Sequence, residues 1–271
     1  MLGESLKEQI RAYFPNLPEL FEKRFHADEA ARYQPAAPEA VAAPAPEAAS
    51  IVLHSAPPRD AHSLIAQAQT YNGMLSFAPE GPYSYIDLIR AERPRELELL
   101  HVQYEIRRLS LAAVTHLVRH RIQSVLVPQA AQAALFMPTY VLPKSVQSSE
   151  EACKIYQDAF AENTAVLNRM LQAGLPAEAA QYFALAGNQV DVLCDMNGRE
   201  LLHFTKLRTC NRAQWEIRAC AVELLRQLRA ECPAVFECFG PSCFVTGKCP
   251  EGRLSCGKMH EMQALFAGEL P

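Results

Sequence analysis

Prolines at positions 35, 38, 44 and 46 fall within a run, residues 35–50, that is almost only Pro, Ala and Glu. Proline fixes its own φ, removes a backbone donor and pushes the preceding residue toward extended forms. A run of this kind can be neither a helix interior nor a central strand, and it predicts a semi-rigid or disordered linker. It divides the chain into residues 1–34, a main region 51–231 and a tail 232–271. The first piece has helical spacing, with Leu6, Ile10 and Phe14 in one stripe and Leu20, Phe21 and Phe25 in another. It reads as a helical appendage for docking or oligomerisation. The main region is long enough to bury a core of its own.

Charge narrows the function classes. With 26 basic against 30 acidic residues, the chain is not a general nucleic-acid binder, although a few local arginines would still hold a small anion. No run of 18 apolar residues occurs, so no membrane span is expected. The start, Met1 to Ile10, lacks an apolar signal core, which favours a cytoplasmic protein. In that setting the nine cysteines are reduced thiols or metal ligands rather than disulfides.

The expected elements are α/β (α+β) with helix in excess. Ile51–His54 predicts a strand, and residues 61–70 a helix. Residues 98–106 predict a strand with Leu100, Val102, Tyr104 and Ile106 on one side. Residues 109–120 carry an apolar helical stripe, and 125–141 reads as small, apolar and broken by Pro128 and Pro138. Ser148 with Glu151 opens a long helix that ends at Gly174 and Pro176. A shorter helix is expected over 177–186. The last long helix is expected over 212–231, with Ile217, Ala221, Leu224, Leu225 and Leu228 inward.

The densest chemistry lies in residues 197–218. Arg199, His203, Arg208, Arg212 and Arg218 sit among strong helix formers, with Asn197/Glu200 and Asn211/Gln214 as successive helix-start signals. Free N–H groups beside guanidiniums suit a phosphate. Two surface helices with solvated charges would carry the same pattern.

With Arg119-His120-Arg121-Ile122-x-Ser124 upstream, this block resembles the flavin-dependent thymidylate synthases. The matching elements are Asn197-Gly-Arg199, Leu207-Arg208 and Ala213-Gln-Trp-Glu-Ile-Arg218, in order and spacing across residues 51–231. The resemblance implies an α/β homotetramer with FAD where subunits meet, transferring a methylene group from methylenetetrahydrofolate to C5 of dUMP after reduction by NADPH. It implies that Arg119, His120, Arg121, Ile122, Asn197, Arg199 and His203 bind the flavin. Arg208 would face the pyrimidine and stabilise charge developing on its ring.

Several positions depart from the family pattern. Gln129, Ala131 and Gln132 stand where the resemblance expects Ser, Arg and Tyr, and Leu126-Val127 where a polar pair is expected. His116 replaces a Gln, and Gln181 a second nucleotide-binding arginine. Each lost charge-assisted hydrogen bond is worth about 1.5–3 kcal/mol. Three readings follow: a divergent enzyme using Lys144 or Arg212 for phosphate, a paralogue with another nucleotide substrate, or a partner subunit of an active homologue.

The tail holds Cys232, Cys238, Cys243, Cys249 and Cys256, interleaved with Gly240-Pro241, Gly247, Gly252 and Gly257. Cys238, Cys243, Cys249 and Cys256 are the expected ligands of a structural zinc, since each lies beside turn residues and the tail looks poor in apolar side chains. An iron–sulfur cluster, disulfides or plain reduced thiols are the alternatives.

Overall fold

The computed structural model describes Ala12 and residues 38–59, 61, 65, 68, 89–90, 94–268 and 270. The appendage helices and nearly all of the helix expected over 61–70 lie outside the described residues. The chain divides at residue 38, and the unit from Glu39 onward holds everything described below.

Six strands are present among the described residues: β1 (Ala45–Pro46), β2 (Ser50–Ser55), β3 (His101–Ser110), β4 (Gln123–Leu126), β5 (Thr139–Tyr140) and β6 (Gln189–Asn197). The main sheet has the order β2-β3-β6-β4 and is antiparallel throughout, while β1 and β5 form a small parallel pair. The class is therefore α+β. Alternation decides the inner face. Val102, Tyr104 and Ile106 of β3 are buried together with Val190, Val192, Cys194 and Met196 of β6. β6 is the central partner of both β3 and β4.

The helices follow the sequence pattern with local shifts. They are α1 (Leu111–Leu117), α2 (Ala130–Phe136), α3 (Lys144–Gln147), α4 (Glu150–Gln172), α5 (Gly198–Arg208), α6 (Trp215–Glu231), α7 (Pro233–Phe236), α8 (Ser242–Thr246) and α9 (Met259–Ala267). The α4 cap is Ser149 rather than Ser148, its hydroxyl accepting from Ala152 N at 3.2 Å. The α6 cap is Gln214, which accepts from Ile217 N at 2.9 Å, so Asn211 lies outside the helix. Residues 177–183 form a 3-10 turn. The α6 stripe Ile217, Ala221, Leu224, Leu225 and Leu228 is buried against the sheet with Leu201, Leu202 and Phe204 of α5. Each such side chain contributes roughly 1.5–3 kcal/mol.

Part of the proline-rich run is docked rather than free. Val41 is buried, its N–H donates to Asn168 Oδ1 at 2.7 Å, and its carbonyl accepts from Asn168 Nδ2 at 3.1 Å. Ala45–Pro46 then pairs with β5, where a two-residue edge needs few donors from the prolines.

The tail also departs from expectation. Phe236, Phe239, Val245, Met262 and Phe266 are buried in the main core. Arg229 ties the tail further, donating to the carbonyls of Phe236, Glu237, Phe239, Phe266 and Gly268 at 2.9–3.2 Å. The tail thus has an apolar anchor, and the physical ground for needing zinc falls away.

Candidate active site

α5 begins as the sequence predicts. Asn197 Oδ1 accepts from Glu200 N at 2.9 Å, a cap worth about 1 kcal/mol. Gly198 is required there, because a Cβ would lie 2.7 Å from the Leu97 carbonyl oxygen. The capping box is not reciprocal, however. The Glu200 side chain turns away from Asn197 and meets His120 Nδ1 at 2.9 Å, with both groups buried.

On the far side of the same ring, Arg208 Nε donates to His120 Nε2 at 3.0 Å. Arg208 Nη2 also donates to the His116 carbonyl at 3.0 Å. Arginine can only donate, so Nε2 must accept and the ring proton resides on Nδ1, facing Glu200. Burial, with Arg208 and then His203 nearby, pushes the His120 imidazole down to about 4, in keeping with a neutral ring. Burial pushes the Glu200 carboxyl up. Burial and the neighbouring Arg119 lower Arg208, which still stays charged near neutrality. His203 lies beside this core, its ring 5.5 Å from that of His120. Burial, Lys206 and Arg208 lower its imidazole.

Other motif residues extend the site. Arg119, Arg121 and Ile122 are exposed on the turn between α1 and β4, Ile122 at 71 %. Neither guanidinium forms an ion pair among the described residues. Leu126 and Leu193, opposite each other on β4 and β6, are exposed at 69 % and 45 %. Arg199 is held by Glu98. Asn197 and Arg208 are eleven positions apart, about 16 Å along a helix. The motif residues therefore span an extended strip with exposed guanidiniums beside a buried polar core. Such a strip suits an anionic ligand, because guanidiniums pair well with phosphate. Arg218 Nε, in the last motif, is buried without a hydrogen-bond partner.

Glu216 of the same motif has a structural task. Its carboxylate accepts from Ser110 N at 2.7 Å and Ser110 Oγ at 2.5 Å, while Ser110 Oγ caps α1 by accepting from Ala113 N at 3.1 Å. This pins the start of α6 to the strand–helix corner leading to Arg119.

The departing positions gather elsewhere. Ala131 is buried in a satellite core with Val41, Leu135, Leu167 and Ala180. Gln129 precedes α2, and Gln181 is exposed on the 177–183 turn that packs against α2. Lys144 lines a separate cavity with Trp215 and Glu216. Arg212 lines a cavity beside Arg208.

The expected zinc ligands are not brought together. Cys238 lines a cleft with Arg229, Phe244 and Phe266, whereas Cys243, Cys249 and Cys256 line the cavity that holds Lys206, Arg208 and Arg212. The Arg229 contacts hold the α7–α8 turn, and Cys238 with it, at a different surface. Among the described residues no group of three or more His, Cys, Asp or Glu side chains converges to hold a metal ion. Glu200 and His116 are the residues that sequence reasoning missed as partners of His120 and Arg208.

The described residues thus form an antiparallel α+β core in which a His120–Arg208 contact joins two arginine-bearing motifs. Comparison makes it particular. The family described as thymidylate synthase complementing protein matches residues 84–234. The flavin-dependent thymidylate synthase of Geobacter sulfurreducens is 38 % identical over 173 residues, covering 63 % of this chain and 74 % of that one. That of Clostridium tetani is 28 % identical over 211 residues, covering 72 % and 79 %. In fold the chain is similar to a UMP/dUMP methylase, PolB, from Streptomyces cacaoi, with a TM-score of 0.60 at 17 % identity over 71 % of this chain and 95 % of that one. It is also similar to thymidylate synthase X from Helicobacter pylori with FAD and dUMP, with a TM-score of 0.50 at 20 % identity over 70 % and 97 %. The chain belongs to the flavin-dependent thymidylate synthase family.

Proposed function

We propose that the protein binds FAD along the Arg119–Ile122 turn and α5, and methylates C5 of a uracil nucleotide as a homotetramer. dUMP is the first substrate to test, with methylenetetrahydrofolate as carbon donor and NADPH as reductant. The observation that carries this reading is the Arg208 guanidinium, fixed by neutral His120 and by the His116 carbonyl. A pyrimidine becomes nucleophilic at C5 only as negative charge spreads onto its carbonyl oxygens, and a preoriented guanidinium stabilises that charge. His120 and Glu200 are positioning residues that keep Arg208 aimed. Arg119 and Arg121 neutralise cofactor phosphates, and Asn197, Arg199, His203 and Ile122 line the remainder of the strip. The flavin, when bound, supplies the hydride.

A second reading, a partner subunit or a paralogue acting on another nucleotide, is favoured by one observation. Ala131 and Gln181 leave the α2 side without the arginines the family uses. Tritium release from 5-tritiated dUMP by the full chain with FAD, NADPH and methylenetetrahydrofolate tests both. Release that disappears in Arg208→Ala supports the enzyme. FAD binding without release supports the second reading.

A further inference from the structure

The α5–α6 loop and the tail enclose a cavity of about 270 Å³. We propose that it is a phosphomonoester site in which Lys206 and Arg212 hold the phosphate. Neither residue belongs to the motifs that carry the family resemblance.

Positive charge is in excess here. Lys206 and Arg212 line the cavity, and neither forms an ion pair among the described residues. Arg218 stands behind the Met262 wall, with Nη2 4.0 Å from Met262 Sδ and Nε buried without a hydrogen-bond partner. Arg208 also borders the cavity but is committed to His120, with Glu200 across that ring. Against these cations stand one carboxylate, Glu251, and the C-terminal end of α5, which carries roughly half a negative charge. With Arg208 set against Glu200, the remaining excess is about 1.5 positive charges. A phosphomonoester carries about −1.5 to −2 at pH 7, whereas a single carboxylate leaves part of the excess standing. Burial lowers the Lys206 amine, as expected of a cation with no nearby acid. Burial raises the Cys243 thiol, so it stays neutral and does not offset the lysine.

Size and lining favour an ester over a bare ion. The volume approaches the roughly 300–1,000 Å³ of small-molecule sites. Leu254, Met259 and Met262 give an apolar wall for the organic part. Ser255 Oγ accepts from Gly257 N at 3.2 Å and keeps its own proton to donate. The α2 side has Ala131 and Gln181 where the family places arginines, so a uracil nucleotide needs other cations for its phosphate. Two sources share this chemistry: the 5′-phosphate of such a nucleotide, and a sugar phosphate without a base. The first rests on the proposed function and the second does not.

Calorimetry of the full chain with dUMP, deoxyuridine and ribose 5-phosphate is the test. Lys206→Met and Arg212→Gln should each weaken the phosphate-bearing probes by about ten- to a hundredfold and leave FAD binding unchanged. Lys144→Met, in a separate cavity, should change none of them. Much tighter binding of dUMP than of ribose 5-phosphate assigns the site to the nucleotide, and equal binding to the sugar phosphate alone. Because a variant could perturb the loop, the tighter of the two probes should also protect Lys206 of the unmodified protein from an amine-reactive reagent, read by mass spectrometry. The proposal is overturned if neither phosphate-bearing probe binds at millimolar concentration, or if Lys206 is not protected. Unchanged affinity in both variants, or loss in Lys144→Met instead, would overturn it too. Phosphate binding that depends on Lys206, without FAD binding or tritium release, would remove the proposed function and leave this site standing.

Discussion

The α5 side and the α2 side of the molecule solve opposite problems. On the α5 side a buried His, a Glu and an Arg satisfy one another, and exposed guanidiniums continue outward from them. On the α2 side small apolar residues fill the space, with Ala131 and Ala180 closing a satellite core. An unpaired buried ion is costly, and on the α5 side His120, Glu200 and Arg208 complete one another's hydrogen bonds. The contrast separates a hydrogen-bonded polar cluster from a region of small apolar packing, which under the proposed function would face the nucleotide. Loss of two guanidiniums there would weaken dUMP binding by roughly two to four powers of ten.

The largest expected effect comes from Arg208→Ala. If the proposed function holds, removing the guanidinium that His120 and the His116 carbonyl orient should lower turnover by about 10²–10³ in the tritium-release assay. A change below threefold would show that charge is stabilised elsewhere.

The pH dependence of stability should expose the buried pair. His120 titrates near 4 when folded against an ordinary 6.5, so between those values the unfolded chain binds the extra proton. Stability should be full above pH 6.5 and fall as pH drops toward 4, by about 3 kcal/mol at most. Glu200, raised by burial, offsets part of this loss at the acidic end. Denaturant titration across this range should show the fall, and His120→Asn, which lacks the titrating ring, should make it shallower, with His203 and His116, lowered in the same direction, accounting for the remainder.

Glu200→Ala should cost about 1–3 kcal/mol by chemical denaturation, because it leaves the His120 Nδ1–H buried without an acceptor. Glu200→Gln keeps an acceptor and should cost less. Equal costs for the two would argue against the assigned tautomer.

On the α2 side, Gln181→Arg should tighten dUMP binding by about tenfold without loss of stability, since the position is exposed. Ala131→Arg should instead destabilise the fold, because a guanidinium cannot enter the satellite core without opening it. If both arginines leave dUMP affinity unchanged, the α2 side is not the nucleotide-facing region.

Local signals carried much of this fold. The alternation of Val102, Tyr104 and Ile106 marked β3, the α6 stripe marked the last long helix, and Asn197 marked the start of α5. β6 went unread although Val190, Val192, Cys194 and Met196 alternate in the same way. α2 was hidden because an alanine-rich stretch between two prolines looks broken, while its helix fits between them. The motif residues stand out in the sequence, but their contacts do not. Glu200 and His120 are eighty residues apart, and the capping-box pattern suggests a different use for Glu200. The cysteine spacing likewise does not reveal that Cys238 lines a different cleft from Cys243, Cys249 and Cys256.

The most direct test of the account is titration of the full chain with FAD, followed by flavin fluorescence and absorbance. The account predicts saturable binding at micromolar FAD, weakened at least tenfold by Arg121→Ala and unchanged by Arg169→Ala on α4. No binding at high micromolar FAD would contradict it.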